Sequence, residues 1–74
     1  MKLLDIVKLK EDDKVHGVKS SYQGTIVDVL GDGDVFTVEF FDDKGETIMD
    51  ALMTEYSEDD LELVTPFDEM EAME

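Results

Sequence analysis

The sequence predicts a small all-β protein whose short strands curl into a barrel. Its apolar residues occur in short runs bounded by Gly, Asp and Ser, without the spacing of a long amphipathic helix. Two of the segments between these runs carry the glycines and aspartates of tight turns. A chain of 74 residues makes one small domain. Short strands in a domain of that size bury their apolar faces by curling.

The predicted strands follow one another along the chain. The five apolar runs cover residues 3–9, 25–30, 35–41, 47–53 and 61–64. The Gly-Asp-Gly-Asp turn at 31–34 joins the second run to the third, and the Asp-Asp-Lys-Gly turn at 42–45 joins the third to the fourth. Runs two to four are therefore predicted to form an antiparallel meander. Before the last run, Ser57 precedes three acids, as an N-cap does, which predicts one short 3-10 turn.

Strand parity predicts which side chains face the core. Asp28, Glu39 and Asp50 each interrupt an apolar run and must face water, so the alternate positions turn inward. The residues predicted to face the core are Thr25, Val27 and Val29 in the second run, Phe36, Val38 and Phe40 in the third, and Met49, Ala51 and Met53 in the fourth.

These elements predict an SH3-like barrel over residues 1–65 with an acidic tail over residues 66–74. The tail holds four acids and no base, so like-charge repulsion and its terminal position predict a frayed, flexible segment. Without cysteine, and with a first run that is short and broken by charges, the chain is predicted to be cytoplasmic and not bound to a membrane.

Charge is divided unevenly along the chain. Residues 1–19 hold five lysines and four acids, whereas residues 20–74 hold seventeen acids and one lysine. The net charge is −15, and the chain contains no arginine. Such a field attracts a basic protein and repels nucleic acid, whose phosphates need clustered Lys and Arg. Solubility by itself asks for a net charge of only about 2 to 8 in a small domain, so the excess favours a binding function.

Residue types for catalysis or metal binding are few. His16 is the one histidine and there is no cysteine, so neither a nucleophile triad nor a thiolate zinc site can be assembled. The turn at 31–34 places acids where a phosphate would bind, and its acids lack the spacing of an EF-hand. We therefore predict no enzyme activity, no metal and no cofactor.

Several short motifs, in this order, resemble a family of small bacterial proteins classed as a domain of unknown function. They cover residues 3–64 and lie at 4–7, 16–19, 24–27, 38–40 and 59–61. The resemblance implies a five-stranded SH3-like barrel. Because some members lie beside toxin-like genes, it also implies an antitoxin or immunity role, although such motifs transfer fold better than function. The segment 24–27 is also similar to the start of a KOW motif, which occurs in ribosomal and transcription proteins.

Two functions remain open from the sequence. The first is an immunity protein or antitoxin that neutralises a basic toxin by occupying its active-site cleft. The residues predicted to bind this partner are Asp42, Asp43, Glu55, Tyr56, Glu58, Asp59 and Asp60. The exposed apolar anchor at the centre of the interface is predicted to be Tyr56, Phe41 or Leu52.

The second function is a KOW-like or SH3-like accessory module of a larger bacterial assembly, without catalytic activity. In that case Lys8, Lys10 and Lys19 are predicted to face the partner. The two hypotheses differ in the sign of the charge that meets the partner.

Overall fold

The computed structural model describes residues 1–67, which form one antiparallel sheet of five strands. The strands are β1 (Ile6–Leu9), β2 (Gln23–Leu30), β3 (Val35–Phe40), β4 (Tyr56–Ser57) and β5 (Leu61–Thr65). The helical segments are α1 (Met49–Leu52) and a 3-10 turn (Glu58–Asp60). The strand order in the sheet is β4-β3-β2-β1-β5, and the predicted all-β fold of five short strands is confirmed.

The 3-10 turn holds the curled sheet together. Its first N–H, on Glu58, donates to the carbonyl oxygen of Asp34 ahead of β3 at 3.0 Å. Its last carbonyl, on Asp60, accepts from the N–H of Lys10 beyond β1, also at 3.0 Å. The Ser57 hydroxyl accepts from the N–H of Asp59, so the predicted N-cap is confirmed. The turn is thereby bonded both to the residue before β3 and to the residue after β1.

The core is built around β3. Phe36, Val38 and Phe40 are fully buried, as strand parity predicted. The other buried apolar residues come from every part of the fold: Val7, Leu9, Val18, Ile26, Ala51, Tyr56 and Leu61. Within residues 1–67, no helix is long and apolar enough to cross a membrane. Of the predicted tail, residues 68–74 lie outside the described residues.

The inward face predicted for β2 is wrong, because this strand contains a β-bulge. Ile26 pairs with Val38, but the next pair joins Asp28 to Thr37, so Val27 is an extra residue in the ladder. A bulge breaks the alternation on which parity depends. Ile26 therefore takes the core position, and Val27 is 39% exposed. The prediction for Thr25 fails with it, since Thr25 lies on the other side of the bulge from Asp28, pairs with Glu39 and is half-buried. Val29 lies after the bulge and pairs with the buried Phe36, so it keeps the predicted face, but it is 37% exposed near the end of the strand.

The fourth predicted strand is a helical turn instead. Strand pairing ends at a single bridge between Phe41 and Thr47, and the N–H of Met53 then donates to the carbonyl oxygen of Met49, which closes α1. Ala51 is buried as predicted, whereas Met49 and Met53 are exposed. The strand that pairs with β3 opposite β2 is β4. The antiparallel meander therefore consists of β2, β3 and β4, and β4 takes the position predicted for the segment 47–53.

Candidate functional site

An acidic cleft of about 460 Å³ opens between the end of β1 and the 3-10 turn. Its lining residues are Leu9, Lys10, Glu11, Asp12, Asp13, Tyr56, Asp59 and Asp60. The backbone hydrogen bond from Lys10 to Asp60 joins its two walls. Because five of its eight lining residues are acids, the cleft suits a cationic group such as a lysine or arginine side chain.

Asp13 is the hydrogen-bonding centre of one wall. Its carboxylate accepts from the Tyr56 hydroxyl at 2.8 Å and lies 2.7 Å from the His16 Nδ1. The same carboxylate accepts from the backbone N–H groups of Val15 and His16, at 3.1 and 3.2 Å. The Tyr56 ring meets the His16 ring edge-on at a centroid distance of 6.4 Å. These contacts connect β4 to the loop after β1 and give the cleft a rigid wall.

The contacts of Asp13 and Tyr56 move both pKa values. Burial, then the hydrogen bond to Asp13 and the negative charge of that carboxylate, raise the pKa of Tyr56 far above its usual range. Burial acts to raise the pKa of Asp13, but the hydrogen bonds from Tyr56 and His16 together outweigh it, so the pKa of Asp13 is lowered. The folded protein therefore holds this pair as a neutral phenol beside a carboxylate.

The raised pKa of Tyr56 predicts a loss of stability in alkali. An unfolded tyrosine releases its proton near pH 10, whereas the folded Tyr56 retains it, so its contribution to stability is complete below pH 10 and is lost above it. In the Tyr22→Phe variant, which leaves Tyr56 as the remaining tyrosine, tyrosinate absorbance should rise together with the loss of the circular dichroism of the fold. Tyrosinate forming near pH 10 in an intact fold would contradict this assignment.

The structure brings together part of the predicted binding face. Tyr56, Asp59 and Asp60 line the acidic cleft, and Glu55 and Glu58 are exposed close to them in the chain. Tyr56 is only 6% exposed, so its prediction as an exposed anchor is wrong; its ring packs edge-on against Phe40, with ring centroids 5.4 Å apart. Phe41 and Leu52, the other two predicted anchors, are half-buried.

Asp42 and Asp43 lie in a different part of the surface. They belong to the turn after β3, whereas the 3-10 turn is bonded to the residue ahead of β3. The six residues of that strand separate the two ends by roughly 20 Å. Asp42 has a structural task in its turn, since its carboxylate accepts from the N–H groups of Lys44 and Glu46. The predicted face therefore divides into two acidic regions.

Three acids of the acidic cleft were missed from the sequence: Glu11, Asp12 and Asp13. They lie in the front part of the chain, where the lysines nearly balance the acids. The signal that could have identified them was the run of three acids that begins one residue after the end of the first strand. Asp12 is held in place by the Ser20 N–H, which donates to its carboxylate at 2.7 Å and, as the largest cause, lowers the pKa of Asp12.

Four of the six lysines lie close to acids. The ammonium group of Lys8 lies 3.7 Å from the carboxylate of Glu62. Lys10 lines the acidic cleft, and Lys14 and Lys19 line a neighbouring hollow of about 330 Å³ together with Asp12 and Asp13. Acids therefore interrupt the surface that an accessory module would turn toward an anionic partner.

The exposure of the acids predicts stabilisation by salt. Thirteen of the seventeen acids among residues 1–67 are exposed, so like charges repel across the surface of the folded protein. Sodium chloride screens this repulsion, with a Debye length of about 10 Å at 0.1 M. The midpoint of thermal unfolding should therefore rise between low and moderate salt. A midpoint that falls would mean that favourable ion pairs outweigh the repulsion.

Among the described residues, no group of three or more His, Asp and Glu side chains is arranged to hold a metal ion.

Comparison with known proteins places the chain in a family. No curated protein and no solved structure matches the chain. A family model described as a domain of unknown function (DUF4926) matches residues 3–62, and these residues include every strand except the end of β5. The chain therefore belongs to the DUF4926 family.

Proposed function

We propose that this chain is a small acidic protein-binding module, an immunity protein or antitoxin that neutralises a basic toxin by occupying its active-site cleft. The observation that carries the proposal is the net charge of −15, which is displayed largely on exposed side chains. A basic cleft that binds phosphates is complementary to such a surface. The proposal includes no catalytic step, and its partner is a protein rather than a nucleic acid or a membrane.

The acidic cleft is the proposed centre of this interface. Asp59 and Asp60 line one wall and Asp12 the other, so a cationic side chain of the partner would meet carboxylates from both walls. An arginine is the best occupant, because its planar guanidinium pairs bidentately with carboxylates. The surrounding acids would steer the partner and raise the rate of association.

Tyr56 is a buried residue that supports the wall of the acidic cleft. Its hydroxyl holds Asp13 at 2.8 Å, and its ring is packed on Phe40. A wall fixed before binding costs little ordering entropy when the partner arrives. The supporting role of Tyr56 replaces the exposed anchor that the sequence predicted.

The test is binding to the basic proteins encoded by the genes adjacent to that of this chain. Each would be measured by surface plasmon resonance at low and high sodium chloride. We expect Asp59→Lys to slow association about tenfold at low salt and to flatten its salt dependence, because it reverses a charge at the centre of the interface.

Asp28→Lys is the matched control. It makes the same change of charge at an exposed position on β2, away from the acidic cleft, and should slow association much less. Equal effects of the two variants would remove the acidic cleft as the interface. Failure of every adjacent basic protein to bind would contradict the proposed antitoxin role.

A further inference from the structure

We infer that the side chains of Met49 and Met53, here called the methionine patch, form the apolar anchor of the interface with a basic protein partner. This inference rests on the proposed function and names the apolar contact that the acidic surface by itself lacks. The two residues are 59% and 85% exposed. They belong to one helical turn, closed by the hydrogen bond from the Met53 N–H to the Met49 carbonyl oxygen.

Met49 begins α1 and Met53 is its C-cap residue, bonded back to Met49, so the two side chains lie on the same face of one helical turn. Residues four apart lie on the same face of a helix. Between them Ala51 is fully buried and packs α1 onto the core, so the helix is held while its methionines point away from the interior. An interface anchor needs this combination of a fixed backbone and an exposed apolar side chain.

The charges around the methionine patch select the occupant. From residue 45 to residue 67 the chain contains no lysine, arginine or histidine, and Glu46, Asp50 and Glu55 are all exposed near α1 in the chain. Nucleic acid, an anionic membrane and a second copy of this chain would each be repelled. A basic protein with an apolar hollow between its lysines or arginines is complementary both to the exposed acids and to the methionine patch.

The methionine patch is close to the acidic cleft. Met53 precedes Tyr56, a lining residue of that cleft, by three positions in the sequence, so their Cα atoms are at most about 11 Å apart. One partner of ordinary size would cover both, since a stable interface takes about 800 Å² from each protein. The flexible, polarisable thioether of methionine adapts to the shape of an apolar hollow.

Two synthetic helical peptides provide the probe. One has leucines along one face and lysines elsewhere; the other has the same lysines but serines in place of the leucines. The protein carries ¹³C-labelled methionine methyl groups, assigned by single substitution. We expect the lysine–leucine peptide to shift the methyl resonances of Met49 and Met53, and the lysine–serine peptide to bind more weakly without shifting them.

The variant Met49→Ser/Met53→Ser should bind the lysine–leucine peptide about tenfold more weakly and the lysine–serine peptide unchanged. Leu3→Ser is the matched control, since Leu3 is an apolar residue 49% exposed ahead of β1, and it should change neither. Unfolding midpoints equal to the wild-type value would show that the variants are folded.

The outcomes separate the inference from the proposed function. If both peptides bind wild type and the double serine variant equally, and the methyl resonances do not move, the methionine patch is not an anchor and the acidic interface stands. If neither peptide binds, the attraction of this surface for basic partners fails, and the inference fails with it. Shifts confined to other methionines would also overturn the assignment.

Discussion

Phe40→Ala is expected to unfold most of the protein. Phe40 is fully buried at the end of β3 and its ring packs edge-on against Tyr56. Removing a buried phenylalanine costs about 3–5 kcal/mol through lost burial and the cavity left behind. A domain of this size has a total stability of about 3–5 kcal/mol, so chemical denaturation should find little folded protein in the variant even in the absence of denaturant.

Phe41→Ala is the matched control for this experiment. The ring is the same, but Phe41 lies one position further along, beyond β3, and is half-buried. Its backbone N–H donates to the Gln23 carbonyl oxygen, a bond that alanine keeps. We expect a much smaller loss of stability. Comparable losses for the two variants would mean that the sheet is covered on both faces at this point.

Asp13→Ala is expected to have the second largest effect, about 2–3 kcal/mol of lost stability. The carboxylate is the partner of the Tyr56 hydroxyl and of two backbone N–H groups, and it lies beside the His16 Nδ1. Hydrogen bonds to a charged group are worth more than neutral ones, and removing the acceptor leaves the hydroxyl of a buried residue without its partner. Urea unfolding of the two proteins would measure the difference.

Asp12→Ala provides the control, because it removes the neighbouring carboxylate. Asp12 is exposed, and its carboxylate accepts from the Ser20 N–H, so we expect a much smaller loss of stability than for Asp13→Ala. A double-mutant cycle with Tyr56→Phe would isolate the bond between Asp13 and Tyr56. Equal losses for the two aspartates, or no coupling in the cycle, would contradict the central place given to Asp13.

The effect of Asp13→Ala should depend on pH. The pKa of Asp13 is lowered in the fold from its ordinary value of 3.8, so its contribution to stability is present above that value and is lost as pH falls through the lower folded one. The difference in stability between wild type and Asp13→Ala should therefore shrink in acid. A difference that grows in acid would mean that the carboxylate is destabilising in the fold.

Local sequence patterns were enough to predict the tight turns, the helix cap and the regular core strand. The turn at 31–34 needs backbone angles that glycine adopts easily, and Gly31 and Gly33 have positive φ values there. Ser57 caps the 3-10 turn through a bond to a residue two positions away. The alternation in β3 is regular, so Glu39 correctly identified the core face. In each case the cause lies within a few residues of its effect.

The residues that form the proposed binding face could not all be predicted, because the face is assembled from residues that are far apart in the chain. Tyr56 is an aromatic residue among acids, and nothing near it in the sequence shows that its hydroxyl meets Asp13, 43 positions earlier. Tyr56 is buried by packing in the core, and its bond to Asp13 connects that carboxylate to β4 across the acidic cleft. The same holds for the division of the predicted face, since only strand pairing places Asp42 and Asp59 toward opposite ends of β3.

By itself, then, the sequence determined the fold class, the turns, the regular core strand and the excess of negative charge, because each depends on local periodicity or on composition. Tertiary structure decided which face of β2 is turned inward, that residues 49–52 form a helical turn, and which residues line the acidic cleft. The bulge at Val27 depends on how β2 pairs with β3, and a parity rule applied to one strand contains no information about its neighbour. Met49 and Met53 became surface residues for a related reason: β4 took the place beside β3, and the segment that the sequence assigned to a strand was left to close a helical turn.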